Sequence, residues 1–448
     1  MIAFIKNFIS DILSSPILSR LSKGMFWSIC GTLISRGLIL VASFFIARIL
    51  GKTCFGEFGM IQATMGMFGI LGGTGLGLTA TKYVAEFRQT DPEKTGRIII
   101  LTEIVAIFAG GLMALGLIIF AQWLAENTIN APQLAGSLRI GSLVTFLSAL
   151  NGAQIGALSG FEAFKTIAYV NFFVGLVSFP ILVLGTYFGG LDGAIWALAI
   201  NLCFNVMFNH IALKKERRMY KVPINFKKCS QEISILWKFS FPAVLSTSLV
   251  VPVNWLCATF LVNQIDGYEE MGIFNAANQW YTMLMILPSL LGNVILPILS
   301  EQIGQKSIKQ SKKTIKFAIK ANSIFVLPSV IIISIASPYI MGLYGDSFRD
   351  GGPTLIIVIL TTVFVAIQTP VGQIIASSGK MWIGFLMNIG WAITFIIGTR
   401  LLVDKGSIGL ALARAIGYVF HMIWSFGIAC ILIHSINQHA SFKQNEKC

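Results

Sequence analysis

Charged residues are scarce in this chain of 448 residues. Only 12% of the residues are Asp, Glu, Lys or Arg, and 55% are hydrophobic, whereas about 25% of the residues in a typical soluble domain are charged. A soluble protein with so few charges could not cover its surface with polar groups. The composition therefore excludes an ordinary soluble domain and predicts a protein that is surrounded by lipid.

Paired cysteines and clustered histidines are also missing. The seven cysteines are scattered and form no CxxC motif, and the chain has only four histidines. We therefore predict neither a disulfide framework nor a metal site. His210 and His421 are isolated in the sequence, and we interpret neither as a ligand.

Sequence signals for cofactors and catalytic domains are weak as well. The glycine run at 72–77 has spacings like those of a dinucleotide-binding loop, but no strand precedes it, so it predicts close helix packing and no cofactor. The loops between apolar runs are too short for a folded catalytic domain. We therefore predict no catalytic residues and no enzymatic activity. A membrane glycosyltransferase or polysaccharide polymerase is the competing class.

Long apolar runs dominate what is present. Each is near the 20 residues that cross a bilayer core of about 30 Å. They number about twelve, and we place them near residues 24–50, 57–80, 98–123, 134–158, 164–188, 191–213, 235–262, 272–298, 315–338, 353–376, 382–403 and 407–433.

The formal net charge of +14 comes from basic residues in the connections between these runs. Lysine and arginine concentrate in segments 82–97, 214–228 and 306–316, which lie on one side if the spans alternate in direction. The positive-inside rule then places both termini in the cytoplasm. Because the charges follow membrane topology and do not form a basic face on a domain, we expect anionic lipid as a partner and no nucleic acid.

The chain also repeats itself weakly. Residues 57–63 resemble residues 270–276, and residues 193–200 resemble residues 409–416, with offsets of about 215 residues. An even number of spans separates the copies, so the two halves have the same orientation. Parallel repeats of this kind are a transporter architecture with the cargo site at the repeat interface.

We therefore predict an all-α polytopic membrane protein with two parallel six-helix lobes around a central cavity. Its predicted parts are an amphipathic interfacial helix (1–22), an N-terminal lobe (23–213), a basic cytoplasmic linker (214–234), a C-terminal lobe (235–433) and a cytoplasmic tail (434–448). The first segment carries no clean signal-peptide pattern, and a frayed tail is the alternative to the interfacial helix.

Charges inside the spans are the candidate site residues, because a charge in hydrocarbon is unfavourable and usually faces a cavity. Arg36 falls near the middle of the first span, and Arg48, Arg139 and Arg414 fall in the outer parts of spans. Four fixed cations suggest an anionic cargo group, and the arginine fork suits phosphate. The outer three could instead snorkel to the headgroups.

Glu103 is the acidic residue placed well inside a span, in the inner half of the third. A carboxyl group in a low-dielectric cavity can bind a proton near neutral pH, so we predict that Glu103 couples transport to an ion. A structural bridge to an arginine is the alternative.

The first two spans resemble a known family. Segments 34–36, 45–51 and 55–59 are similar to the opening of Wzx-type polysaccharide flippases, which belong to the multidrug/oligosaccharidyl-lipid/polysaccharide exporter superfamily. The similarity extends through residues 81–86. With the two-lobe layout, it covers nearly the whole chain.

The resemblance implies a flippase of the cytoplasmic (inner) membrane. It would move an oligosaccharide linked to polyprenyl pyrophosphate from the inner to the outer leaflet by alternating access. Its implied partners are that anionic glycolipid and membrane lipids, with polysaccharide-assembly proteins as candidates. A cation-coupled drug or metabolite exporter of the same superfamily is the alternative. Glu103 alone is a deep acidic candidate for cation coupling, so that alternative is weaker.

Overall fold

A computed structural model describes residues 16–223, 229, 231–233, 249–304, 307–378 and 381–445. The predicted interfacial helix over 1–22 lies largely outside the described residues. So do residues 224–228, 230 and 234 of the predicted linker over 214–234, and the first part of the seventh predicted span.

The described chain is helical throughout and contains no strand. Its helices are α1 Pro16–Phe87, α2 Pro92–Asn127, α3 Ala135–Gly160, α4 Phe164–Met219, α5 Val250–Val262, α6 Gly267–Leu284, α7 Ile286–Gly304, α8 Ile308–Ile335, α9 Ser337–Gly342, α10 Gly352–Ser377, α11 Met381–Leu402 and α12 Gly406–Asn445. Short 3-10 turns occupy Pro132–Leu134, Asp346–Gly351 and Val403–Lys405.

These helices have the length and composition of membrane spans. Seven continuous helical stretches within the described residues could cross a membrane, or eight if α6 and α7, which are bent by 41°, form one span. Some stretches hold two spans: α1 breaks at Gly51 and α4 at Gly190. The predicted all-α polytopic fold is thus confirmed.

The chain forms two compact units, and these do not divide at a single point. Unit 1 comprises Met1–Ala42, Thr64–Glu126 and Ala131–Ser248, and unit 2 comprises Ser43–Ala63, Asn127–Asn130 and Leu249–Cys448. The middle of α1 therefore groups with unit 2, although its flanks group with unit 1. The lobe boundaries drawn from the sequence stay a prediction.

Unit 1 is packed through small residues. A Cβ added to Gly73 would lie 2.8 Å from the Cα of Ala149, and one added to Gly156 would lie 2.2 Å from the carbonyl oxygen of Gly77. Helices α1 and α3 can approach this closely only without side chains at these positions. The prediction that the glycine run at 72–77 serves helix packing is confirmed.

In unit 2, α10 packs against α6, α7, α8, α11 and α12. It carries no charged residue, and its buried side chains include Leu355, Val358 and Ile359. Near its C-terminal end, Val371 and Ile374 join a buried cluster with residues of α7, α8 and α12. Helix α10 is therefore the central helix against which the other helices of this unit are positioned.

A glycine turn of the same kind joins the last two helical arms of each unit. Gly190 has φ 55° and ψ −135°, and Gly406 has φ 63° and ψ −140°. Both are in the positive-φ region that favours glycine, and they lie 216 positions apart. A Cβ on Gly193 would lie 2.0 Å from the Gly185 carbonyl oxygen, so the arms meet closely. These turns support the internal repeat predicted from the sequence.

Large apolar side chains also cover much of the described surface. Phe108, Ile119 and Phe188 are 76%, 71% and 80% exposed. Side chains of this kind on long helices face lipid in a membrane protein.

Candidate functional site

Helix α12 carries a line of polar and aromatic side chains. Arg414, Tyr418, His421 and Ser425 follow one another at spacings of four, three and four residues, which places them on one face of the helix. We call these four residues the polar face of α12. Their partners within unit 2 come from α6 and α10.

Arg414 is the most enclosed member of this face, with only 5% of its surface exposed. Its Nη1 donates a hydrogen bond of 2.6 Å to Oδ1 of Asn278 on α6. Its guanidinium carbon lies 4.0 Å from the ring centroid of Tyr281 and 6.0 Å from those of Phe274 and Tyr418. The cation is therefore held in an aromatic cage, where cation–π attraction stabilises it.

The charge of Arg414 lacks a carboxylate partner among the described residues. Its hydrogen bond goes to a neutral amide, and its Nε is buried without a hydrogen-bond partner. A buried charge is stable when it is paired. The cage thus holds a cation that no described carboxylate neutralises.

Two other arginines of the described chain are paired with carboxylates of unit 1. Arg88 of unit 1, 6% exposed, pairs with Glu162 at 2.5 Å and also donates to the carbonyl of Gly160. Arg97 pairs with Glu232 at 3.1 Å. These pairs differ from Arg414, whose guanidinium has no carboxylate partner among the described residues.

His421 continues the polar face. Its Nδ1 donates to Oε1 of Gln368 on α10 at 3.0 Å, and Oγ of Ser425 lies 3.4 Å from the same nitrogen. Gln368 and Ser425 are buried. We call these three residues the histidine clamp, because they join α10 to α12 through side-chain hydrogen bonds.

Unit 1 has an amide clamp at the matching place. Nδ2 of Asn209 donates to Oδ1 of Asn151 at 2.8 Å and to Oδ1 of Asn205 at 2.7 Å. This clamp joins α3 to the second arm of α4. Asn205 and Asn209 lie 216 positions before His421 and Ser425, the same interval that separates the glycine turns.

Arg48, predicted as a substrate-binding residue, is partly engaged within unit 2. It is exposed, and its Nε donates to the carbonyl of Leu343 at 2.8 Å. This bond ties the middle of α1 to the turn after α9. The nearby rings of Phe44 and Tyr344 pack edge to face at 4.8 Å.

Arg36 and Arg139, also predicted as substrate-binding residues, are both exposed side chains of unit 1. No hydrogen bond or ion pair with another described residue engages either guanidinium. Arg36 lies in the first arm of α1, and Arg139 lies in the second turn of α3. The contacts of the described chain do not link the predicted arginines to one another.

Glu103, the predicted coupling residue, lies in α2 of unit 1 and is half-buried. Its Oε1 is buried and has no hydrogen-bond partner. His210 and Arg217 of α4 interact electrostatically with the carboxylate. The Nε of Arg217 is likewise buried and unpartnered, so the carboxylate and the guanidinium lie near each other without a closed bridge.

Sequence reasoning missed the aromatic cage and the clamp. Tyr281 and Tyr418 were not among the candidate residues, and His421 was interpreted as isolated, although it has partners on two helices. The available signal was the helical spacing of the polar residues along α12. Their partners on α6 and α10 could not be found in this way, because they are far away in the sequence.

Comparison with known proteins identifies the family. The family model described as "Polysaccharide biosynthesis protein" matches residues 21–303, and a second model, MatE, matches residues 242–399. The EPS I polysaccharide export inner membrane protein EpsE of Ralstonia nicotianae is 23% identical over 85% of this chain and 87% of its own length. The lipid III flippase of Escherichia coli is 23% identical over 67% of this chain and 72% of its own length.

A solved structure shows the same fold. An inward-facing multidrug resistance MATE family transporter of the MOP superfamily superposes with a TM-score of 0.79, at 15% identity, over 92% of this chain and 99% of its own. The family models and the sequence relatives confirm the resemblance carried by the first two predicted spans. Because the first family model matches more than half of the chain, this protein belongs to the polysaccharide biosynthesis protein family.

Proposed function

We propose that this protein is a flippase that moves polyprenyl-pyrophosphate-linked oligosaccharide from the inner to the outer leaflet of the cytoplasmic membrane. The proposal rests on one observation above all. Each unit holds an arginine within a membrane-length helix that pairs with no described carboxylate, Arg36 in unit 1 and Arg414 in unit 2. Such cations need an anion, and a lipid-linked pyrophosphate supplies one inside the membrane.

The names of the relatives support the same class of cargo. One is a polysaccharide export protein of the inner membrane and another is a lipid III flippase. The fold alone does not choose the cargo, since a multidrug transporter shares it. A transported glycolipid also agrees with an all-helical chain whose described surface is rich in exposed apolar side chains.

The arginines divide the work in this proposal. Arg36 is accessible and binds the pyrophosphate first, because its fork can form two parallel hydrogen bonds with phosphate oxygens. Arg414 provides a fixed positive charge in unit 2. Arg48 of unit 2 and Arg139 of unit 1 are further cargo-binding residues and add positive charge. The polyprenyl tail stays in lipid while the lobes alternate in access.

Glu103 is the proposed coupling residue. Its unpartnered, buried carboxylate oxygen beside Arg217 can take up a proton or accept a small cation. Either event changes the attraction between α2 and α4, which is a physical route from an ion gradient to a helix movement. Both termini face the cytoplasm in this proposal, and polysaccharide-assembly proteins are partners.

Deleting the gene in its host tests the proposal. Loss of a flippase leaves complete lipid-linked repeat units in the inner leaflet, where they are protected from an added membrane-impermeant sugar oxidant. Single units that reach the outer leaflet but are not polymerised would identify a polymerase. An unchanged glycolipid pool with new sensitivity to drugs would identify an exporter, and either of these two results contradicts the proposed function.

A further inference from the structure

The two clamps differ in one chemical respect. The amide clamp of unit 1 consists of three neutral asparagines, which do not titrate. The histidine clamp of unit 2 places an imidazole at the position of Asn205. Imidazole changes its charge between about pH 5 and pH 8. Only the clamp of unit 2 can therefore change charge under physiological conditions.

The bond to Gln368 decides which nitrogen of His421 responds. Oε1 of Gln368 can only accept, so Nδ1 of His421 carries a hydrogen in this bond. The other nitrogen, Nε2, is then the atom that takes up a proton when the ring becomes cationic. Protonation keeps the clamp bond intact and adds a positive charge to the same face of the helix.

That added charge lies near Arg414. Seven residues separate His421 from Arg414, which corresponds to about 10 Å along the axis and nearly the same direction around it. The polar face then carries two cations. Because like charges repel, an anion that binds beside Arg414 favours the protonated ring, and the protonated ring favours the anion.

Among the described residues, no carboxylate forms a hydrogen bond or ion pair with His421. Its own helix carries Arg414, Tyr418, Cys430, His434, His439 and Lys443, and α10 and α5 carry no charged residue. Helix α6 carries Glu269 and Glu270 in its first turn, and Glu270 accepts from the backbone of Ser407 at the opposite end of α12. The remaining titratable groups on described elements that pack against α12 are Cys257, Tyr268, Tyr281, Glu301, Lys309, Lys312, Lys313, Lys316, Lys320, Arg400, Asp404 and Lys405.

We propose that His421 is a proton-binding residue whose protonation strengthens the binding of the anionic headgroup to unit 2. Proton and headgroup then bind cooperatively, and the coupling is reciprocal. This inference rests on the proposed function, since it requires an anionic cargo. It adds a second titratable position, in the other unit from Glu103, and it assigns that position to cargo affinity.

The test measures binding of farnesyl pyrophosphate to the purified full-length protein at about pH 5 and about pH 8, the two ends of the range in which imidazole changes its charge. The wild type binds more tightly at the lower pH. The variant His421→Asn introduces the residue that unit 1 has at the corresponding position, Asn205. In this variant, the ratio of the two dissociation constants falls by about tenfold, as expected for one charge at this distance. The ratio that remains reports the titration of the probe itself.

His434→Asn is the matched control, because it removes a histidine near the C-terminal end of the same helix. It keeps the wild-type ratio. Farnesol, the uncharged analogue, shows no dependence on His421. An equal ratio in wild type and His421→Asn overturns the inference while leaving the proposed function intact. Absence of pyrophosphate binding to the wild type at both pH values contradicts the proposed function and the inference with it.

If His421→Asn does not fold, a second measurement tests the inference. The titration of the His421 ring is followed by NMR in the isotopically labelled wild type, with and without farnesyl pyrophosphate. Reciprocal coupling requires the midpoint to rise by about one pH unit when the probe binds, which matches the tenfold effect. An unchanged midpoint overturns the inference.

Discussion

The two units build the same backbone features and fill them with different chemistry. Each has a positive-φ glycine between its last two helical arms, at Gly190 and Gly406, and each joins two helices by a polar clamp. At the positions of Arg414 and Tyr418, however, unit 1 has Leu198 and Leu202. The repeat therefore sets the helix geometry, whereas charge is placed independently in each unit.

The cations of the two units differ in the same way. Arg36 of unit 1 is exposed and engages no described partner, whereas Arg414 of unit 2 is buried in an aromatic cage. An exposed arginine can adapt to a ligand, and a caged arginine has its position fixed before the ligand arrives. Substitutions at these residues test the difference between the two units.

The largest effect is expected at Arg36. In Arg36→Ala, export falls to the level of the deletion strain, because the accessible fork for the pyrophosphate is gone, while membrane insertion stays normal. Arg36→Lys restores export only partly, since lysine keeps the charge but loses the bidentate geometry. Surface polysaccharide, normalised to membrane-inserted protein, is the readout. Full export by Arg36→Ala at normal expression would exclude the role given to this residue.

The next largest effect is a loss of stability, which we expect on substitution of Arg414 but not of Arg36. Arg414→Lys loses the hydrogen bond to Asn278 and the stacking on Tyr281, which lowers the free energy of unfolding by roughly 1–3 kcal/mol. Thermal denaturation of the purified protein then shows a lower midpoint. Arg36→Lys is the matched control and keeps the wild-type midpoint. Equal midpoints for Arg414→Lys and wild type would mean that the cage does not hold the cation.

A smaller effect is expected at Glu103. Glu103→Gln keeps the shape of the side chain but cannot exchange a proton, so transport continues down the cargo gradient and no longer responds to an ion gradient. Uptake into proteoliposomes is compared with and without an imposed pH or sodium gradient. If the variant responds to the gradients as the wild type does, Glu103 is structural, as a partner of Arg217.

The smallest effect is expected at Arg139. This exposed residue near the start of α3 contributes only long-range electrostatic attraction to the anionic cargo. Arg139→Gln therefore lowers export by about twofold and makes cargo binding less sensitive to salt. The salt dependence of binding is the readout, and a loss as large as that of Arg36→Ala would place Arg139 in direct contact with the cargo.

Much of the fold could be predicted from the sequence, because lipid imposes simple rules. Apolar runs of spanning length gave the helices, and the small residues at 72–77 gave the close contact between α1 and α3. The breaks within α1 and α4 lie at Gly51 and Gly190, in the gaps between the predicted spans, because a positive-φ glycine interrupts the helix there.

The site was less predictable. Arg36 and Arg414 stand out in the sequence because a charge in an apolar run is conspicuous. Arg414 is caged by Asn278 and Tyr281, which lie more than a hundred residues before it in the sequence. The sequence does not show these contacts, nor does it show that Arg36 is exposed. The isolated appearance of His421 had the same cause: its partner Gln368 lies on another helix.

The central claim, translocation of a lipid-linked anion that depends on an unpaired cation, is tested most directly in proteoliposomes. A fluorescent oligosaccharide on polyprenyl pyrophosphate is placed in both leaflets, and a membrane-impermeant quencher is added outside. With wild-type protein, the quenched fraction rises beyond the outer-leaflet share as inner-leaflet molecules cross. With Arg36→Ala, it stays at the level of protein-free vesicles. If the quenched fraction rises no faster with folded, inserted wild-type protein than with protein-free vesicles, the result contradicts the account.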